Sequence, residues 1–204
     1  MLSATPPLPD IIYANSERGM ALCSLRNPML SRYYIQCSLD TDITEWQDDR
    51  FWEELKARFP QRVAERIVTG PSIEKSIAPL RSFVSEPMAY GRLFLAGDAA
   101  HIVPPTGAKG LNLAISDVFY LSRALSAQFN HANSDYLASY SDMALRRVWS
   151  AARFSWWLTM LLHRFPDQGD FDLKAQEQEF YYLASSEAYM KSVCEQYGGL
   201  PFEG

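Results

Sequence analysis

Up to about residue 40 the apolar positions fall in short runs bounded by turn residues. Residues 11–14, 20–25 and 32–39 read as strands, separated by Asn-Ser-Glu-Arg-Gly and Asn-Pro-Met-Leu-Ser turns, so a sheet of hairpins is expected. The spacing then changes. Over residues 48–59, Phe51, Trp52 and Leu55 recur at helical intervals among charges, Pro60 stops the helix, and a shorter one follows to Val68. These helices should cover one face of the sheet. Residues 76–84 read as another strand, and 92–97 form a short apolar run of the kind found in buried strands. Beyond them the pattern is helical: 111–127, 134–165 and 171–197 carry apolar residues three and four apart, with Pro166 ending the second and Gly198-Gly199 the third. Strands followed by long helices predict an α+β fold or a piece of a larger α/β protein.

Composition narrows the partners more than the fold. The 204 residues carry 19 Lys and Arg against 24 Asp and Glu, a net charge of −5, which argues against nucleic acid as a partner. Apolar residues make up 48% and charged residues 21%, close to globular averages, so disorder and low complexity are excluded. The longest near-apolar run, 154–162, falls well short of the roughly 20 residues a bilayer requires. The first residues lack a basic stretch followed by an apolar one, and Cys23, Cys37 and Cys194 form no C-x-x-C pair. A cytoplasmic protein is expected.

Chemistry concentrates between residues 97 and 112, where GDAAHIVPPTGAKGLN joins a strand to a helix. Asp98 would stand beyond the strand's carboxyl end, where α/β sheets bind ligands, and could accept hydrogen bonds from sugar-like hydroxyls. Gly107 and Gly110 remove side chains where the backbone must approach something flat or charged, and the helix start offers unpaired N–H groups to negative charge. A capped turn rich in proline and glycine would read the same way. In the hairpin, a turn centred on Met29 would set Ser24 opposite Tyr34 and Arg26 opposite Arg32 on one face. Opposed arginines repel, and an anion between them would remove the conflict; a solvated strand face is the plainer alternative. His101 reads as a buried hydrogen-bonding residue, and His131 and His163 have no metal-ligand spacing, so no metal is expected. Trp156, Trp157 and residues 180–182 read as core or subunit interface.

The segment GDAAHIVPPTGAKGLNLA resembles the flavin-binding region of the FAD-dependent aromatic-ring monooxygenases, and within them the hydroxylases of 4-hydroxybenzoate. The likeness extends through EKSIAPLRSF, FSWW, LHRFPD and EQYGGLP, covering essentially everything after about Leu8. It implies three regions: a substrate-binding β-sheet over 1–85, the later part of an FAD-binding domain over 86–127, and a helical interface region over 128–204. By the same resemblance, Asp98 would hold the ribityl chain of FAD, while Leu111 and Asn112 would offer backbone N–H groups to its pyrimidine edge. Ser24, Arg26 and Tyr34 would bind the substrate carboxylate, Pro105 would offer its carbonyl to the phenol, and Arg32 would act beside the flavin. Tyr13 and Tyr197 would pass the phenolic proton toward solvent, and Arg81 would contact NADPH.

The G-x-G-x-x-G fingerprint that holds the FAD pyrophosphate is absent from these residues, as is the family's Asp-Gly signature. The resemblance therefore covers roughly the C-terminal half of the family protein, and Met1 falls where that protein has continuing sequence. The expectation is a chain that binds FAD poorly alone, is poorly soluble, and is completed by a separate N-terminal half, with the homodimer of the family as a further partner. An inactive remnant or interaction module is the competing expectation.

Overall fold

The structure is a computed structural model and describes residues 1–199 together with 201 and 202. The chain forms two compact units, Met1–Pro79 with Met160–Gln176, and Leu80–Thr159 with Glu177–Gly204.

In the first unit, β1 (Leu2–Ser3), β2 (Ile12–Ser16), β3 (Gly19–Asn27), β4 (Leu30–Ile35) and β5 (Ser72–Glu74) form one antiparallel sheet in the order β2-β3-β4-β1-β5. Helices α1 (Asp48–Ala57) and α2 (Gln61–Ala64) follow. The two-residue period of β3 sends Ala21 and Cys23 to one face, where they meet Tyr33 of β4 and the Phe51, Trp52 and Leu55 stripe of α1. The expected cover of helices over one sheet face is therefore present. Tyr33 and Trp52 pack edge to face with centroids 4.9 Å apart, and the Trp52 indole N–H donates to the Gly70 carbonyl at 2.9 Å. Burial raises the Cys23 thiol to about 12, so it behaves as a small core hydrophobe.

Asp48 pins β5 to the start of α1. One of its oxygens accepts from the Ser72 N–H at 2.8 Å and the other from Lys75 Nζ at 2.7 Å. These bonds, the lysine's first, lower its pKa to about 2. A depressed carboxylate stabilises the fold above its unfolded pKa of about 4, and that contribution is lost as pH falls toward 2. Asp48→Asn is accordingly expected to lower stability at neutral pH and to flatten the dependence of urea stability on pH over that acid window. An unchanged slope would refute it.

Residues 160–176 belong to this unit because side chains close the end of a helix onto it. The last carbonyls of an α-helix lack intrahelical donors. Here Asn15 Nδ2 donates to the carbonyls of Leu161 and Leu162 at 3.1 and 3.2 Å, and buried Gln176 donates to those of Met160, Leu161 and His163. Gln36 Oε1 meanwhile accepts from the N–H groups of Met20 and Arg164, both at 3.1 Å.

The second unit contains short paired strands β6 (Phe83–Val84) with β9 (His101–Ile102), and β7 (Ala89–Tyr90) with β8 (Leu93–Phe94). The long helices are α3 (Gly110–His131), α4 (Asp135–Leu162), α5 (Asp170–Ser185) and α6 (Glu187–Gly198), of which α4 and α5 have their ends in the first unit. Its core gathers Met88, Leu113, Tyr120, Tyr140 and Val148, with the Tyr140 hydroxyl donating to the Leu95 carbonyl at 2.7 Å. No helix among the described residues is long and apolar enough to cross a membrane.

Three elements differ from the sequence reading. Of the strand expected over 76–84 only β6, Phe83–Val84, forms, with irregular backbone over 76–82 ahead of it, because Pro79 interrupts any ladder there. The run 92–97 is no buried strand: only β8 pairs, in a tight hairpin, and Leu93 is exposed. The single helix expected over 171–197 is two, because Ser186 adopts extended backbone and its hydroxyl caps the Tyr189 N–H.

Candidate functional site

The expected carboxylate cradle lies on the sheet face opposite α1, in a register different from the one a turn at Met29 would give. Asn27 pairs with Leu30, so the turn tightens around Pro28 and Met29, and the ladder slips between Leu25 and Asn27. Ser24 consequently faces Arg32, Leu22 faces Tyr34, and Arg26 occupies a bulge. The predicted pairs Ser24–Tyr34 and Arg26–Arg32 are corrected accordingly. A bulge re-aims its side chain, and the Arg26 guanidinium donates to the Tyr34 hydroxyl at 3.1 Å. Arg32 lies 4.0 Å from the Glu74 carboxylate, which offsets its charge, so the repulsion argument for an anion between two opposed arginines does not hold.

Alternation nevertheless puts the right groups together. Tyr13 pairs with Leu22 across β2 and β3, so Tyr13, Leu22 and Tyr34 form a row, with Ser24 and Arg32 forming the next. Arg26 is exposed and Ser24 is buried at the floor. One guanidinium and two kinds of hydroxyl converging on an open face can hold a carboxylate.

In the second unit, Gly97, Asp98 and Ala99 form one 3-10 turn, and a short second one, Pro105–Gly107, leads into α3. Gly97 sits at φ +61, in the left-handed region, and leaves the Asp98 carboxylate exposed. No side chain caps α3, so the N–H groups of its first turn, those of Leu111 and Asn112 included, have no intrahelical acceptor. Both residues are exposed, and a Cβ added at Gly110 would meet nothing within 4 Å. An exposed carboxylate for hydroxyls, beside an open helix start for an electron-rich carbonyl edge, fits the ribityl and pyrimidine parts of FAD.

Gly107 serves a different need. A Cβ there would lie 2.4 Å from Ser155 Oγ and 3.2 Å from its Cα, so the loop rests directly on α4. Gly107→Ala is expected to cost about 1 kcal/mol, with Ser155→Ala in the same chain recovering part of it in denaturant unfolding. Lys109 is buried beside this loop and donates to the Tyr197 carbonyl at 2.5 Å. Burial first, and then the nearby Arg147 charge, lower its pKa. Tyr197 stacks edge-on against Phe154, while Tyr13 belongs to the first unit. Pro105 is exposed in the second 3-10 turn. Arg81 is exposed on irregular backbone ahead of β6 and is not on the strand expected for it.

Sequence reading missed Asp117. It is fully buried on α3, and its Oδ2 accepts from the Gly97 N–H at 2.8 Å and lies 2.7 Å from His101 Nε2. His101 is thus the buried hydrogen-bonded histidine that was expected. The signal for Asp117 was a carboxylate on the same helical face as Leu113, Tyr120 and Ala124.

The profile of the FAD binding domain matches residues 4–155. The chain belongs to that family. Over its whole length it is 56% identical to the p-hydroxybenzoate hydroxylase of Acinetobacter baylyi, of which it covers 50%. It is 29% identical to the 6-hydroxy-3-succinoylpyridine 3-monooxygenase of Pseudomonas putida over 67% of the chain, covering 37% of that protein. Its fold matches a solved p-nitrophenol 4-monooxygenase from Pseudomonas putida with a TM-score of 0.70 at 19% identity, over 94% of this chain and 49% of the other. The FAD binding domain is here the mixed helix and sheet fold of the FAD-dependent aromatic monooxygenases, and this chain spans about half the length of the curated relatives it matches.

Proposed function

We propose that this chain carries the substrate-carboxylate and flavin-ring contacts of an FAD-dependent hydroxylase that converts 4-hydroxybenzoate to 3,4-dihydroxybenzoate with NADPH and dioxygen. The observation that carries the reading is the Arg26–Tyr34 bond on a sheet face that also presents Tyr13, Ser24 and Arg32. The 56% identity to a p-hydroxybenzoate hydroxylase supports the choice of substrate.

Bound FAD would supply the electrons taken from NADPH and the activation of dioxygen. The chain's own residues do the rest. Arg26, Tyr34 and Ser24 orient the substrate through its carboxylate, and the Pro105 carbonyl accepts from its phenol. Tyr13 and Tyr197 carry the phenolic proton away, because a phenolate is a far better carbon nucleophile than a phenol and a tyrosine matches its pKa. Asp98 would hold the ribityl hydroxyls, and the N–H groups of Leu111 and Asn112 would favour negative charge on the pyrimidine edge, with Gly110 keeping the approach free. Arg32 would act beside the flavin and Arg81 would contact NADPH. Residues 1–85 bind substrate, 86–127 bind FAD, and 128–204 join two copies of the chain. The pyrophosphate of FAD would be held by a dinucleotide-binding segment with the G-x-G-x-x-G fingerprint, which these residues do not contain.

The test is quenching of FAD fluorescence by the purified chain, with and without 4-hydroxybenzoate, repeated with the dinucleotide-binding segment of the Acinetobacter relative. Tight FAD binding and NADPH-dependent product on adding that segment are expected. No FAD binding and no product under either condition would overturn the reading.

A further inference from the structure

We infer that Asp117 is the positioning residue that sets the distance between the two flavin-facing parts of the second unit, the Gly97–Asp98 turn and the first turn of α3. The inference deepens the flavin reading of residues 97–112 and rests on it. Its basis is a single carboxylate oxygen that meets the chain on both sides of one turn: it accepts from the Gly97 N–H at 2.8 Å and lies 2.7 Å from Nε2 of His101, just beyond the turn's end.

Gly97 at φ +61 points its N–H into the protein, and Asp98, next in sequence, is thereby left facing solvent. The Ala100 N–H closes the same turn on the Gly97 carbonyl at 2.8 Å. The anchor therefore sits on one side of the turn and Asp98 on the other. Asp117 stands on α3, the helix whose first turn carries Leu111 and Asn112, and six residues of a rigid helix separate it from Leu111, roughly 9 Å. An α-helix does not stretch, so the carboxylate converts the position of the turn into a fixed offset from the helix start.

A purely structural helix position would be cheaper if apolar. Asp117 and His101 are 0% and 1% exposed, and Asp117 Oδ1 has no hydrogen-bond partner among the described residues. Burying a carboxylate with one oxygen unpaired opposes folding. Neighbouring Ser116, equally buried with its hydroxyl unpaired among the described residues, makes no bond to the turn. With Asp117 ionised, His101 donates from Nε2, which fixes its tautomer.

The test compares the full chain with Asp117→Ala, Asp117→Asn and the control Ser116→Ala, by amide hydrogen exchange, by nitrogen NMR of the imidazole of His101, and by FAD titration with the dinucleotide-binding segment of the Acinetobacter relative added. In the parent chain, Gly97 exchanges slowly and His101 holds its proton on Nε2. In Asp117→Ala, Gly97 exchange is expected to rise at least about tenfold while amides in the middle of α3 stay protected, and both histidine tautomers appear. FAD affinity falls about tenfold or more, with Asp117→Asn between parent and Ala, and Ser116→Ala matches the parent throughout. A protected Gly97 and an unmoved His101 signal in folded Asp117→Ala would overturn the inference. So would FAD binding as tight as the parent's. If Asp117→Ala fails to fold, Asp117→Asn with parent-like exchange, tautomer and affinity would overturn it equally. Failure of the parent chain to bind FAD even with that segment added, with Gly97 still protected through Asp117, would strike the flavin reading and leave the turn's anchoring standing.

Discussion

Replacing Tyr13 with phenylalanine is expected to lower the rate of 4-hydroxybenzoate hydroxylation by about 100-fold or more in the assembled enzyme, the usual range for losing a positioned proton-transfer group. The substrate ring still packs against a phenyl ring of the same size, so affinity should change little. What disappears is a hydroxyl whose pKa near 10 matches that of the substrate phenol, and with it a path for the proton. Tyr13 lies in the middle of β2 and pairs with Leu22, which itself pairs with Tyr34, so it shares the face of the carboxylate group. The measurement is single-turnover hydroxylation alongside substrate titration. A variant that hydroxylates at the parent rate would remove Tyr13 from the proton path, and one that loses affinity in proportion to rate would make it a binding residue instead.

Arg26→Lys is expected to weaken 4-hydroxybenzoate binding about tenfold or more, on the order of 1.4 kcal/mol, and Arg26→Ala more still. Lysine keeps the charge and loses the planar fork, so it cannot present two parallel N–H groups to a carboxylate while also meeting the Tyr34 hydroxyl. That second contact is present at 3.1 Å, and the bulge at Arg26 directs the side chain toward it. Phenols lacking the carboxylate provide the control: they should bind the parent and the lysine variant equally. Unchanged affinity for 4-hydroxybenzoate in Arg26→Lys would remove Arg26 from the substrate site.

The bulge also shows where sequence pattern stops. Alternation identified β3 and β4 and put Ser24, Arg32 and Tyr34 on one face, because a two-residue period survives any even shift in register. It could not say which residues face each other. That depends on the turn, and the Asn27–Leu30 pair with one extra residue at Arg26 differs from a turn centred on Met29. The repulsion expected between two arginines failed for the same reason, since Arg32 finds Glu74 on a strand 42 residues further along the chain. The helix break at Ser186 was legible in principle: a serine that can cap the next helix interrupts the run, although the apolar spacing continues across it.

By itself the sequence determined the two hairpin strands, the stripe of Phe51, Trp52 and Leu55, the turn from Gly97 into α3 and the buried character of His101, because each follows from local periodicity or backbone chemistry. The motif GDAAHIVPPTGAKGLNLA carried the family, which the match over residues 4–155 bears out. Tertiary structure alone decided the partner of Arg26, the offset of Arg32's charge by Glu74, the packing of Gly107 on Ser155 and the bond from Gly97 to Asp117. Each of these joins residues by side-chain reach across elements, where the energy lies in the meeting of two groups and leaves no periodic trace in either segment.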